Sequence, residues 1–407
     1  MFDNFCYTVF NQCCFLLPSN SQSMLQLIFW VILLLASTTS LFAQKYSNEF
    51  LSIGVGARAQ GMAGAQIAQV QDATAGFWNP AGLTGVDTDL QVAAMHNEWF
   101  ASIGRYDYVG LAAPIMNKSH YVGFTFIRFG VDQIPNTLTL YEQDGTVNYN
   151  NVSTFNAADY AFMLHYARKF EQLGLSVGAT PKVVHRTIGP FATSWGFGLD
   201  IGAQMQRGDW QFGLMLKDIS TTFNAWSFSF TDEQKQVLDI TGNDIPVQSI
   251  EITRPTIGLG FGYKKDFQIG QPKEGSKNSE PRYIGFSAAL DINVTTDGRR
   301  NVLVSANPFS LDPAIGLELH YNNLIFLRGG INNIQQFRNI SNDQQWAVQP
   351  NFGVGFKVYS FYVDYALGVN AGGALIDNTQ GAVLSHIVSL KVDINFDYLK
   401  RAFQEVE

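Results

Sequence analysis

The sequence predicts an all-β protein: a transmembrane antiparallel β-barrel of about 14 strands with a short, partly helical N-terminal plug. Three observations predict it. From residue 89 onward, apolar and polar residues alternate in segment after segment, and the apolar face carries large aromatics. Only 15% of the 407 residues are charged, while 14% are aromatic and 37 are glycine, a balance unlike that of a water-soluble domain. The connections between segments run alternately short and long, as in bacterial barrels with tight periplasmic turns and longer outer loops. The net charge of −8 argues against nucleic acid as a partner.

The chain divides into an upstream extension with a signal peptide (1–43), a plug segment (44–88), the barrel (89–396) and a tail (397–407). The apolar run "MLQLIFWVILLLASTTSLFAQ" from Met24 has signal-peptide length, and Ala43 offers a small residue for cleavage. Export of this kind places the mature chain in the outer membrane of a Gram-negative bacterium. No Lys or Arg precedes Lys45, which suits a true start at Met24 with residues 1–23 as an extension. The run is also just long enough for an uncleaved helical anchor. Cys6, Cys13 and Cys14 all fall in the extension, so a chain beginning at Gln44 has no thiol for a disulfide or a metal.

Residues 53–76, "IGVGARAQGMAGAQIAQVQDATAG", do not alternate like a strand. Small side chains let a backbone lie close against another surface, as a compact segment inside a lumen requires. "WNPAGL" follows. Pro80 pushes Asn79 out of the helical region, so a preceding helix stops by Trp78. Pro80 donates no hydrogen bond and Gly82 is free to take positive φ. The stretch reads as a stop and a sharp turn feeding a first strand near Leu90; an ordinary surface turn is the plainer alternative.

The strands fall near 89–99, 103–115, 119–130, 157–169, 172–186, 193–206, 209–219, 253–266, 282–294, 312–321, 323–334, 350–359, 360–369 and 383–396. In one, Tyr160, Phe162, Leu164 and Tyr166 point one way and Asp159, Ala161, Met163, His165 and Ala167 the other. A soluble sandwich also alternates, but these segments are about ten residues or longer and pair bulky apolar faces with small or polar ones, as lipid outside and water inside require. Closure is required too, because an open sheet edge has no partner in hydrocarbon. Two connections break the long-short rule: 267–281 is long on the periplasmic side, and 100–102 is short outside.

The block "FLSIGVGARAQGMAGAQIAQVQDATAGFWNPAGL" resembles the N-terminal signature of the PorV/PorQ family, relatives of the FadL-type outer-membrane transporters. The matching residues are Gly54, Gly56, Ala57, Arg58, Ala59, Gly61, Met62, Gly64, Ala65, Asp72, Ala75, Trp78, Asn79, Pro80, Ala81 and Gly82. The resemblance implies a component of type IX protein secretion. Its partners would be the translocon and the C-terminal sorting domains of cargo, which it hands to surface attachment. FadL relatives instead imply a channel for long-chain fatty acids or other hydrophobic solutes, with the plug as a gate. That alternative expects a continuous apolar tunnel from an outer pocket to a gap in the wall, whereas the secretion dock expects a sealed lumen. The chain departs from many barrels in continuing past the aromatic Phe396 with "DYLKRAFQEVE".

No catalytic residue, metal ligand or cofactor is expected. "GVGARA" approaches a dinucleotide fingerprint but lacks the βαβ context, and "GLGFG" from Gly258 reads as glycine lining a crowded lumen. His96, His120, His165, His185, His320 and His386 show no metal spacing, and His165 and His320 fall on lumen positions that read as solvated. Asp159, Lys217, Asp291, Glu318, Asp364, Lys391 and Asp393 share the lumen face. They read as a polar lining with salt bridges around the plug, or as a substrate path. In the expected outer loop 220–252, Trp226, Phe228 and Phe230 suit partner docking, folding over the mouth, or lipid headgroups.

Overall fold

The computed structural model describes residues 47–397 apart from 141–145, 243, 245–248, 271–280, 297, 299, 339–341, 343 and 371–382. The expected signal peptide, the cleavage point at Ala43 and the tail beyond residue 397 lie outside the described residues.

From Leu90 onward the chain forms one antiparallel sheet closed on itself. Leu90–Trp99 pairs with Gly104–Ile115 on one side and with Val383–Ile394 on the other, Leu90 standing opposite Ile394. Closure gives each backbone group in the wall a partner, which hydrocarbon cannot supply. Seventeen strand segments make up the sheet. Trp210–Lys217 and Thr222–Phe228 are halves of one stave, as are Ser249–Thr253 and Thr256–Gly270. Val304–Ser305 belongs to an outer connection, so the barrel has 14 staves. Among the described residues no helix is long and apolar enough to cross a membrane; the strands do so.

The alternation resolves into two faces. Phe162, Leu164 and Tyr166 stand outside, while Ala161, Met163, His165 and Ala167 are buried inside. Ile315, Leu317 and Leu319 repeat the pattern against Glu318 and His320. The exposed apolar side chains are the lipid contact.

Several staves run further at the long-loop end than the alternation predicts. His120–Asn136 and Ser153–Phe170 pair well past residue 130, and the stave expected from 350 begins at Gln344. Beyond the bilayer the outer face need not be apolar, so the pattern ends while the ladder continues. A register shift at Val131/Ile134, with Gln133 at φ 59°, marks that change. The expected loop 220–252 is corrected for the same reason: Thr222–Phe228 is strand, paired with both Ala192–Arg207 and Ser249–Thr253. That connection also holds a helix, Asp232–Ile240, opened by a reciprocal Thr231–Gln234 capping box.

Residues 47–86 thread the interior as short helical turns: Glu49–Ser52, Ala57–Gly61, Ala75–Trp78 and Pro80–Gly85. The third stops at Trp78, and Asn79 is extended at φ −161°, ψ 105°. Pro80 then opens the next turn at its first position, where its missing N–H costs nothing. Gly82 does not supply the positive φ expected of it. It lies inside that turn, and a Cβ there would collide with the Val70 carbonyl. Close approach, not backbone freedom, demands glycine here.

Candidate functional site

The plug is built to lie against glycine. Gly54 and Gly56 have φ of 87° and 83°, a region that penalises any Cβ, and Gly54 and Gly64 both lie under the Trp78 ring. Trp78 donates Nε1–H to the Val55 carbonyl (2.9 Å) and meets Phe77 edge to face at 5.2 Å. The wall answers with glycines of its own. Added Cβ atoms at Gly258, Gly260 and Gly262 would fall 2.5–2.7 Å from Ile67, Ala68 and Gln69. Gly61 of the plug meets Gly353 of the wall backbone to backbone. "GLGFG" is thus a seat for the plug.

Charged side chains pin what the glycines admit. Asp291 Oδ2 accepts the backbone N–H groups of Gln66 (2.7 Å) and Ile67 (2.8 Å). Arg58 holds Glu318 through Nε–Oε2 (3.0 Å) and Nη2–Oε1 (3.2 Å). Arg328 bridges the same Glu318 and Asp364, both at 2.6 Å. Lys391 reaches Asp72 at 3.2 Å, and Asp72 also accepts the N–H and hydroxyl of Thr74. Burial works to raise the Asp72 carboxyl's pKa, but Lys391 and then Arg58 outweigh it and hold it at about 2. Asn79, fully buried, donates to the carbonyls of Ile67 (2.8 Å) and Ala203 (3.1 Å).

Of the lining residues named from the sequence, Asp291, Glu318 and Lys391 hold the plug, and Asp364 is held by Arg328 of the wall. Asp159 pairs with Arg186 at 2.9 Å, and Asp393 accepts from Gln91 at 2.6 Å. Of the two lysines, Lys391 has Asp72, whereas Lys217 has no carboxylate in salt-bridge reach among the described residues. Its Nζ stands 5.0 Å from the Phe77 centroid and 5.7 Å from that of Trp78. His165 is not solvated: its ring nitrogens meet Thr180 and Thr125 hydroxyls at 2.9 Å each. His320 is buried as well. The plug backbone at Gly76 presses on His165 where the alternation alone would place water, while His320 lies against Phe326 and Asp266 of the wall.

Trp226 also departs from its expected place on an exposed loop. It is 6% exposed, on a strand, under the Arg186 guanidinium at 5.0 Å. Trp226, Phe228 and Phe230 form a stacked row continuing to Phe191. The ladder fixes Trp226 on the inward side of the mouth.

Cavities flank the plug at both ends. At the long-loop end a vestibule of about 800 Å³ has a mixed lining, with Phe50, Ile53, Phe77, Trp78, Phe129 and Met163 as its apolar part among many polar side chains such as Asp291, Asn293 and Asn332. Lys217 and a buried cluster, Lys182 with Asp200 (2.8 Å) and Asp218 (2.7 Å), stand on its charged side. That cluster was not read from the sequence; the one signal is a lysine at an inward position in "ATPKVVH". It sits where the stave breaks at 218–221, and the break is closed by Ile219 N–H to Leu199 O (2.9 Å) and Asp218 N–H to Asp200 (2.7 Å). At the short-turn end lies a polar cavity of about 240 Å³. Between them the plug and its ion pairs occupy the lumen.

No family model matches the chain, and no curated protein matches it. Among solved structures it is similar to the toluene transporter TbuX of Ralstonia pickettii, at 12% identity and TM-score 0.48 over 84% of this chain and 99% of that one. The toluene transporter TodX of Pseudomonas putida gives 10% and 0.48 over 88% and 100%. A FadL homologue of Pseudomonas aeruginosa gives 12% and 0.43 over 83% and 98%. These are likenesses to other chains only; the barrel itself is established by the closed strand pairing of this one. The resemblance to secretion components is carried by residues 50–83 of the sequence alone.

Proposed function

We propose that the protein takes up hydrophobic solutes with an acidic head, long-chain fatty acids being the model, beginning with capture in the outer vestibule. One observation carries this: Lys217, a cation without a carboxylate partner among the described residues, stands beside an apolar floor formed by Phe77 and Trp78. An apolar surface with a few placed polar groups is the usual build of a small-molecule site; here Phe77 and Trp78 supply the apolar surface within a lining that also carries Lys182, Asp200 and Asp218. The vestibule is open to the outer end and closed below by the plug, so passage requires the plug to shift or the stave to open at 218–221.

A second reading, a dock for type IX cargo or translocon, is supported by the plug lodged in the lumen and by the residues shared with the PorV/PorQ signature. The test is mild-detergent affinity purification of the tagged protein from its own envelope, with mass spectrometry of both the protein and the organic extract. Copurifying fatty acid supports uptake. Recovery of a giant translocon barrel, or of proteins sharing a C-terminal sorting domain, with no lipid in the vestibule would replace it by the dock.

A further inference from the structure

The cavity at the short-turn end belongs to neither reading. Five cations and three carboxylates line it, in a chain whose net charge is −8. The carboxylates are spoken for: Glu318 and Asp364 by the two arginines, Asp72 by Lys391. Lys264 and Lys357 line the cavity with no carboxylate in salt-bridge reach among the described residues. Lys357 and Lys391 crowd one ring, their Nζ atoms 4.8 and 4.1 Å from the Tyr362 centroid. A further observation points to a missing ligand. The His320 side chain is 3% exposed, lines the same cavity, and neither ring nitrogen makes a hydrogen bond. Its Nε2 lies 3.2 Å from an Asp266 oxygen without hydrogen-bond alignment. A buried polar group left unsatisfied calls for an unseen partner.

We propose that this cavity binds a small multivalent oxyanion of phosphate or diphosphate type from the periplasmic side. Lys264, His320 and Lys357 come from three different staves, Thr256–Gly270, Ser310–Tyr321 and Gln344–Val358. A planar carboxylate offers two oxygens in one plane, whereas a phosphate group presents acceptors in several directions. The volume admits a small anion and excludes a folded partner. A soluble diphosphate and the headgroup of an anionic phospholipid share this chemistry.

The test uses the full chain in neutral detergent, with isothermal titration of sodium pyrophosphate in one arm and of cardiolipin in mixed micelles in the other, at matched ionic strength. Lys264→Gln with Lys357→Gln removes the two unpaired charges. Lys391 is left in place because it also holds Asp72. Both lysines sit at the barrel rim, and retention of the compact band on unheated gels confirms folding. The expected result is saturable binding weakened at least tenfold in the double variant and restored by Lys264→Arg with Lys357→Arg. Binding in the pyrophosphate arm assigns a soluble ligand; binding in the cardiolipin arm alone assigns a headgroup. No saturable binding in either arm, or binding unchanged in the double variant, overturns the proposal.

Discussion

Arg58 of the plug and Glu318 of the wall are joined by two hydrogen bonds, 3.0 and 3.2 Å, although 260 residues separate them in the chain. The pair is unequal in its surroundings. Glu318 also holds Arg328, whose side chain is 2% exposed, while Arg58 has solvent on one side at 26%.

That inequality predicts an order of effects. Glu318→Ala leaves two guanidiniums facing each other without their shared carboxylate, and breaking a buried pair from the side that strands charge costs about 3–5 kcal/mol. Arg58→Ala leaves Glu318 still bonded to Arg328 and is expected to cost less than half as much. Protease cleavage of residues 47–86 in the detergent-folded protein measures this directly. Equal sensitivity in the two variants would refute the shared-carboxylate account.

The glycine seat gives a second prediction. In Gly260→Val the new side chain meets the Ala68 backbone and Ile67, an overpacking cost of about 1–3 kcal/mol. The outward face of that stave, with Phe261 and Leu259, is untouched, so the barrel is expected to form and stay heat-modifiable. Planar-bilayer recordings are expected to show a leak absent from the unmodified protein. A silent bilayer with a protected plug would mean the seat yields elsewhere.

These contacts also show what the sequence made legible. The bilayer imposes apolar residues on the outward face of each stave, so Phe162, Leu164 and Tyr166 announced their side. The plug's stop at Trp78 followed from Pro80 alone, and the start at Leu90 from the alternation. The seat was half visible: "GLGFG" read as crowded lumen, but the plug residues pressing on it are about 190 positions away. The Lys182–Asp200–Asp218 cluster was invisible, because its members meet across neighbouring staves at a break that no local pattern marks. Lys217 was placed on the right face, yet only the fold sets it beside Phe77 and Trp78.

Asp72 predicts a pH dependence. Its carboxyl is held at about 2 in the seated plug, against roughly 3.9 when free in water. A group with a depressed folded pKa stabilises the seated state above its free pKa, and that contribution fades as pH falls through the folded value. Plug protection is therefore expected to be flat from neutral pH to about 5 and to weaken between about 4 and 2, by roughly 2 kcal/mol. Asp72→Asn is expected to remove this step, leaving a flatter profile in hydrogen exchange of residues 66–78. A wild-type profile unchanged down to pH 2 would show that Lys391 and Asp72 do not couple to seating.

The vestibule gives the sharpest separation of ligand types. Lys217 contributes charge and Trp78 contributes apolar surface, so their removal should act on different parts of a ligand. Lys217→Gln is expected to weaken binding of a long-chain fatty acid by roughly ten- to a hundredfold, the 1.5–3 kcal/mol of a hydrogen bond to a charged group. It is expected to leave an uncharged hydrocarbon of similar length within about twofold. Trp78→Ala is expected to weaken both, since it removes floor area and not charge. Because Trp78 also packs on Gly54 and Gly64, its variant is compared only where plug protection matches wild type. Titration of laurate and of dodecane in matched micelles measures all four combinations. If Lys217→Gln weakens both ligands alike, the lysine acts through the plug and not on an acid head. If wild type binds neither ligand, the vestibule is no solute site, and the docking reading gains its place.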